Sequence, residues 1–211
     1  MPKLAKRSIP SEADMHRELP LLAWTPRSWA ELAADDLPTF LADHAICEQQ
    51  AALFGLSLVG HYPDDDDLVR EMSALAAEEV AHLRRVSTLL RKRGLSISRK
   101  RPNPWVQGLR RRMETDRSPL LKVDRLFVGA LIEARSCERF TCLLRVIEDR
   151  DPEVAALLHD LGPAEARHWR MFYALAGRHL EGEAFETRWR GWLEHEAELS
   201  RQGGVRPTVH G

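Results

Sequence analysis

Apolar residues recur at alternating steps of four and three along four long stretches of the chain, the spacing that lines one face of a helix. The first stretch runs through Leu41, Ala45, Glu48, Ala52, Gly55 and Val59. The second runs through Leu68, Met72, Leu75, Glu79, His82, Val86 and Leu89. The third passes Leu126, Ala130, Glu133, Cys137, Phe140, Leu144 and Ile147, and the fourth Val154, Leu158, Leu161, Glu165, His168, Phe172 and Leu175. No stretch sustains two-residue alternation, and no Asn-Gly or Asp-Gly hairpin turn occurs. The pattern predicts an all-α protein whose core is the common seam of four helices.

Breakers place the ends of these helices. His61, Tyr62 and Pro63 precede the run Asp64–Asp67, whose carboxylates suit the positive N-terminus of the second helix. Glu148–Asp151 and Pro152 part the third from the fourth. Both links are short, so each pair is expected to form an antiparallel hairpin. Gly94 to Pro119, with Pro102, Pro104 and Gly108 inside it, reads as a crossover long enough to travel the length of a bundle. Thr25–Ala34 predicts a short leading helix, and Gly182–Leu199 a shorter fifth one. The expected organisation is a single domain over residues 25–199, an N-terminal extension over 1–24 and a C-terminal tail over 200–211.

Each seam is interrupted by a polar residue that a core would normally reject. Glu48 and Glu133 break the first and third; Glu79 with His82, and Glu165 with His168, break the second and fourth. A buried carboxylate costs several kcal/mol unless something compensates it, and four in one core would repel. Glu-x-x-His alone means little, because 19 Glu and 9 His give about one such pair by chance. The spacing carries more. Glu79 follows Glu48 by 31 residues and Glu165 follows Glu133 by 32, with midpoints at Pro63 and in the Glu148–Asp151 turn. Residues equidistant from a hairpin turn lie at one height, here about 23 Å from each turn at 1.5 Å per residue. Four carboxylates and two imidazoles at one level can hold two divalent cations inside a bundle. Glu and His three apart share a helix face and can reach one metal, leaving Glu48 and Glu133 as the expected bridges. Four negative charges would balance two ferrous ions.

The length of 211 residues, 44% hydrophobic and 30% charged, suits one domain with a sizeable core. No run of eighteen apolar residues exists, so no membrane helix is expected. The first twenty residues lack the apolar stretch of a secretory signal. Cys47, Cys137 and Cys142 form no Cys-x-x-Cys pair, which excludes a disulfide framework or a rubredoxin-type centre and points to a reducing cytoplasm. The net charge of −1 hides an asymmetry. Arg84, Arg85, Arg91, Lys92, Arg93, Arg99, Lys100, Arg101, Arg110, Arg111 and Arg112 fall in a stretch without one acid. That block predicts a polyanionic partner; the plainer reading is a solvated helix end and loop.

The stretches Cys47–Leu95, Leu131–Phe140 (LIEARSCERF) and Gly162–Phe172 (GPAEARHWRMF), with the long crossover, resemble the ferritin-like di-iron carboxylate proteins. Within them the chain is similar to the bacterial family that hydroxylates 2-methylthio-isopentenyladenosine in tRNA, the MiaE-like hydroxylases, over roughly residues 20 to 199. The resemblance implies a ferritin-like four-helix bundle of two hairpins with short extra helices. It implies Glu48, Glu79, His82, Glu133, Glu165 and His168 as ligands of two non-haem iron ions, with Glu78 and Glu138 facing solvent or supporting those ligands. It also implies an oxygen-inserting monooxygenase that takes dioxygen as co-substrate and tRNA as partner, through the eleven cations above. Since the sequence has no flavin, haem or iron–sulfur motif, two electrons must come from a ferredoxin-like donor and its reductase. A monomer or dimer is expected.

Three other classes compete. A ferritin-like ferroxidase or storage subunit would use the same carboxylates but needs a self-assembled shell. A nucleic-acid-binding helical bundle would use the cations for binding and its buried carboxylates merely to hold a structural metal. A radical-generating reductase subunit would need a tyrosine near the metals, and only Tyr62, at a turn, and Tyr173 exist.

Overall fold

The computed structural model describes residues 8–97, 103–115, 118–203 and 206–210. Among them are eight helices and no strand. The four predicted long helices are α3 (Leu37–His61), α4 (Asp66–Lys92), α6 (Leu121–Ile147) and α7 (Pro152–Ala176). Three open on an aspartate that caps a free backbone N–H: Asp36 accepts from Thr39, Asp65 from Leu68 and Asp151 from Val154. α3 packs along α4 and α6 along α7, giving two antiparallel hairpins, and α4 meets α7 where the hairpins dock. The architecture is a ferritin-like four-helix bundle.

Two apolar clusters fill the bundle, one at each end. The cluster near the hairpin end of α4 holds Leu58, Leu68, Met72, Leu75, Phe127 and Phe172. The other holds Phe40, Leu41, Val86, Phe140, Leu144 and Leu158. On all four helices the residues that interrupted the seams lie between these clusters, so the core is split by one polar layer. No described helix is long and apolar enough to cross a membrane.

The short helices surround this frame. α2 (Arg27–Asp35) lies on α6, close to the predicted leading helix, and α8 (Gly182–Gln202) is the predicted fifth. The crossover, in which the sequence predicts no particular helix, contains α5 (Pro104–Arg112), which packs on α8 and α6. Gly108, which reads as a breaker, sits inside α5 for a packing reason. A Cβ there would stand 2.6 Å from a methyl of Leu199 on α8. The segment expected as an extension forms α1 (Glu12–Glu18), opened by a reciprocal Ser11–Asp14 capping box, and buries Met15, Leu19 and Leu21. The segment expected as a tail buries Thr208, Val209 and His210 against the bundle.

Candidate metal centre

Glu48 from α3, Glu79 and His82 from α4, Glu133 from α6, and Glu165 and His168 from α7 converge in the polar layer. None is more than 5% exposed. Their ligand atoms form two groups, each within 4.8 Å: Glu48, Glu79, His82 and Glu165, and Glu79, Glu133, Glu165 and His168. Glu79 and Glu165 belong to both. Glu48 and Glu133, the expected bridges, each belong to one group only, so the two groups share the Glu-x-x-His glutamates.

Both imidazoles turn Nδ1 inward. His168 Nδ1 lies 2.9 Å from Glu79 Oε1, and His82 Nδ1 lies 3.4 Å from Glu79 Oε2 and 3.7 Å from Glu48 Oε2. Their Nε2 atoms point outward to Glu78, at 3.0 Å from His168 and 3.9 Å from His82. A hydrogen bond from Nε2–H to a carboxylate leaves Nδ1 with a free lone pair, the tautomer a metal needs. Arg167 donates to the other oxygen of Glu78 at 2.6 Å. On the far side, fully buried His44 sits one turn before Glu48, with Nε2 2.5 Å from Glu48 Oε1.

The layer's electrostatics follow from burial and crowding. Burial, then the neighbouring Glu48, pushes the Glu79 carboxyl up to about 8. Glu165 is driven well above the usual range by burial and by the charges of Glu133 and Glu79. Burial works against the imidazolium forms, yet Glu48 and Glu79 raise His82 to about 10. Glu79 and Glu133 likewise raise His168 to about 9 against its burial. Glu48 goes the other way: burial favours its neutral form, but the charge and hydrogen bond of His44 hold it well below the ordinary range.

These residues fit a pair of divalent cations. Glu79 Oε1 and Oε2, Glu165 Oε1, His82 Nδ1 and His168 Nδ1 are all buried without a hydrogen bond, the contacts above being close but misaligned. Buried polar atoms left this way are costly, and here they all point into one layer. Hard oxygen with borderline nitrogen is a donor set for first-row divalent metals.

The cation block divides. Arg85 pairs with Asp160 at 2.5 Å, Lys92 with Glu153, and Arg93 with Asp151 at 2.6 Å, all tying α4 to α7. Arg84 and Arg91 are exposed on α4; Arg110, Arg111 and Arg112 are exposed on α5, Arg112 lying over Trp192 at 5.6 Å. Arg99, Lys100 and Arg101 lie outside the described residues.

Three features go beyond the sequence reading, which leaves Glu78 open between solvent and support of the ligands. His44 and Glu78 had a signal, an i,i+4 placement before Glu48 and before His82, but such pairs are ordinary on helices. The third is an ion cluster behind Glu133. Arg135 is 1% exposed and donates to Glu196 at 2.7 Å and Glu138 at 3.1 Å, while Thr25 donates to Glu138 at 2.6 Å. Glu138 is thus a buried strut between α6, α8 and the segment before α2, not a solvent-facing residue.

A ferritin-like bundle with a carboxylate–histidine layer defines the class. The fold matches a solved structure titled "Protein 43 with aldehyde deformylating oxygenase activity from Synechococcus", with TM-score 0.84 and 29% identity. That match covers 90% of this chain and 95% of that one. The chain belongs to the tRNA-(MS[2]IO[6]A)-hydroxylase (MiaE) family, whose pattern matches residues 15–211, and is an oxygenase-type enzyme by that membership. A Pseudomonas putida protein, tRNA 2-(methylsulfanyl)-N(6)-isopentenyladenosine(37) hydroxylase, is 41% identical over 152 residues, 72% of each chain. The protein of the same name from Salmonella typhimurium is 29% identical, with 83% of this chain and 81% of that one aligned.

Proposed function

We propose that this chain hydroxylates the isopentenyl side chain of 2-methylthio-isopentenyladenosine in tRNA, next to the anticodon. The observation that carries the reading is the six-residue layer with its inward, unpaired donor atoms, in a chain of the tRNA hydroxylase family. Glu48, Glu79, His82, Glu133, Glu165 and His168 would hold two iron ions, Glu79 and Glu165 being the residues common to both donor groups. Bound there, iron supplies the redox chemistry by which dioxygen is activated and one oxygen atom enters a C–H bond.

The protein's own residues do the rest. Glu78 fixes the orientation of the His168 imidazole through its 3.0 Å hydrogen bond and places a negative charge beside His82, and His44 anchors Glu48. The apolar clusters above and below keep bulk water from the layer, which protects the reaction from side paths. Exposed cations on α4 and α5 engage phosphates of the tRNA, and the target nucleoside leaves the loop stack to reach the layer. Two electrons per turnover come from a ferredoxin-like donor. Cys47, Cys137 and Cys142 form no disulfide, which suits a protein working in the cytoplasm.

The test is to incubate iron-loaded, reduced protein with hypomodified tRNA under labelled dioxygen, digest to nucleosides and weigh them. One labelled oxygen on the isopentenyl group, lost in Glu165→Ala, is expected. No gain from a loaded centre that consumes dioxygen would sink the substrate assignment. An aliphatic aldehyde serves as the control for the activity named for the Synechococcus structure. Replacing Arg110, Arg111 and Arg112 together should flatten the salt dependence of tRNA binding by about two to three units.

A further inference from the structure

The closest helix pairing is within the hairpins, α3 on α4 and α6 on α7. Between α3 and α6 a cavity of about 200 Å³ remains. Ile46, Ala51 and Phe54 of α3 form one wall, and Ile132 with Gly129 of α6 form the other. Glu133, one of the six residues of the metal layer, also lines it. The crossover closes the top: α5 contributes Asn103, Val106, Gln107 and Arg110. Gln107 and Arg110 are exposed, so the cavity meets solvent at an amide and a guanidinium. His210, stacked on Trp105 with ring centroids 5.0 Å apart, completes the rim.

We propose that this cavity receives the isopentenyl group, presenting its end to the Glu133 side of the metal layer. The purine sits at the mouth against Gln50 and Gln107, and Arg110 takes a neighbouring phosphate. The assignment rests on the tRNA reading above and identifies where that substrate enters. Its support is a conjunction of three properties in one place. The walls are largely apolar, with Asp43, Cys47 and Gln50 the polar exceptions on α3, the end is a carboxylate of the layer, and the mouth carries a cation of the acid-free stretch. The size agrees, since an apolar cavity of roughly 150 Å³ admits a benzene-sized guest, comparable to a branched five-carbon chain. The next cavity, about 280 Å³ between α1, α6 and α7, touches none of the six layer residues. A larger hollow beside α8, about 730 Å³, also touches none of them.

The experiment is equilibrium binding of two anticodon stem–loop RNAs to iron-loaded protein without reductant, so that no turnover occurs. The RNAs differ in one nucleoside, isopentenyladenosine or adenosine. Wild-type protein should favour the prenylated RNA by about 100-fold, since a single methylene in a matched pocket is worth at least about tenfold. Ala51→Phe fills the cavity from the bundle side, and Val106→Trp narrows it from the crossover. Each should bring the ratio close to one, with adenosine-RNA affinity and iron content unchanged. Arg110→Ala should weaken both RNAs equally. Should Ala51→Phe fail to fold, as judged by circular dichroism, Val106→Trp decides alone. A folded variant that keeps the full preference overturns the cavity while leaving the tRNA reading intact. A wild-type protein indifferent to the prenyl group overturns both.

Discussion

Each side chain of the metal layer reaches the core at a position its helix would otherwise fill with an aliphatic residue, and protons or cations must settle the charge. Glu79, pushed up to about 8 from 4.5, keeps its proton when folded across a range where the unfolded chain has lost it. His82 and His168, raised to about 10 and 9 from 6.5, keep theirs well above neutrality. In all three the folded form binds more protons, so protein stripped of metal should lose stability as pH rises through these windows. The depressed Glu48 opposes this only below the ordinary carboxyl range, where it loses its charge. Metal replaces the protons and releases them. Melting curves of chelated protein should therefore fall between about pH 6 and 9, while iron-loaded protein stays flatter. Equal slopes for the two would contradict this account of the layer. At this scale the six residues were legible because each breaks an apolar period at a height its hairpin partner shares. His44 and Glu78 were not, because their partners are defined by side-chain direction rather than by spacing.

Helix by helix, the long elements follow the sequence because period, caps and breakers agree on them. α5 does not, since three arginines and a glycine read as loop until Leu199 is seen to need the space at Gly108. α1 had a readable signal in Ser11 and Asp14, but seven residues are too few for periodicity. The cation block shows the same limit: density along the chain says nothing about which side chains turn toward a neighbouring helix. Arg93 does so with most effect. It sits at the C-terminus of α4 and grips both oxygens of Asp151, at 2.6 and 2.8 Å, while Asp151 also caps α7 through Val154 N at 3.1 Å. Asp151→Ala removes a cap and an interhelix tie together and should cost about 1–2 kcal/mol. Urea denaturation would measure it; iron content should not change. A loss no greater than that of Asp64→Ala, in the exposed turn before α4, would mean the tie does little.

For the molecule as a whole, the bundle and its duplicated layer could be anticipated because each hairpin repeats one arrangement about its own turn. The proposed substrate cavity could not, because its boundary is drawn from α3, α5, α6 and His210, four segments far apart in the chain. The same duplication has a consequence for how the protein assembles. Either hairpin can zip outward from its own short turn through local contacts, the kind that form fast. Docking one hairpin on the other brings four carboxylates together, so the final approach climbs an electrostatic slope that neither half meets alone. Ferrous ion should speed that last phase of anaerobic refolding and leave the earlier helix-forming phase unchanged, as stopped-flow circular dichroism and tryptophan fluorescence can separate. A final phase indifferent to iron would show that protons alone smooth the slope. Where iron is scarce, newly made chains would wait longer with their halves ajar and the apolar faces of both hairpins open to proteases.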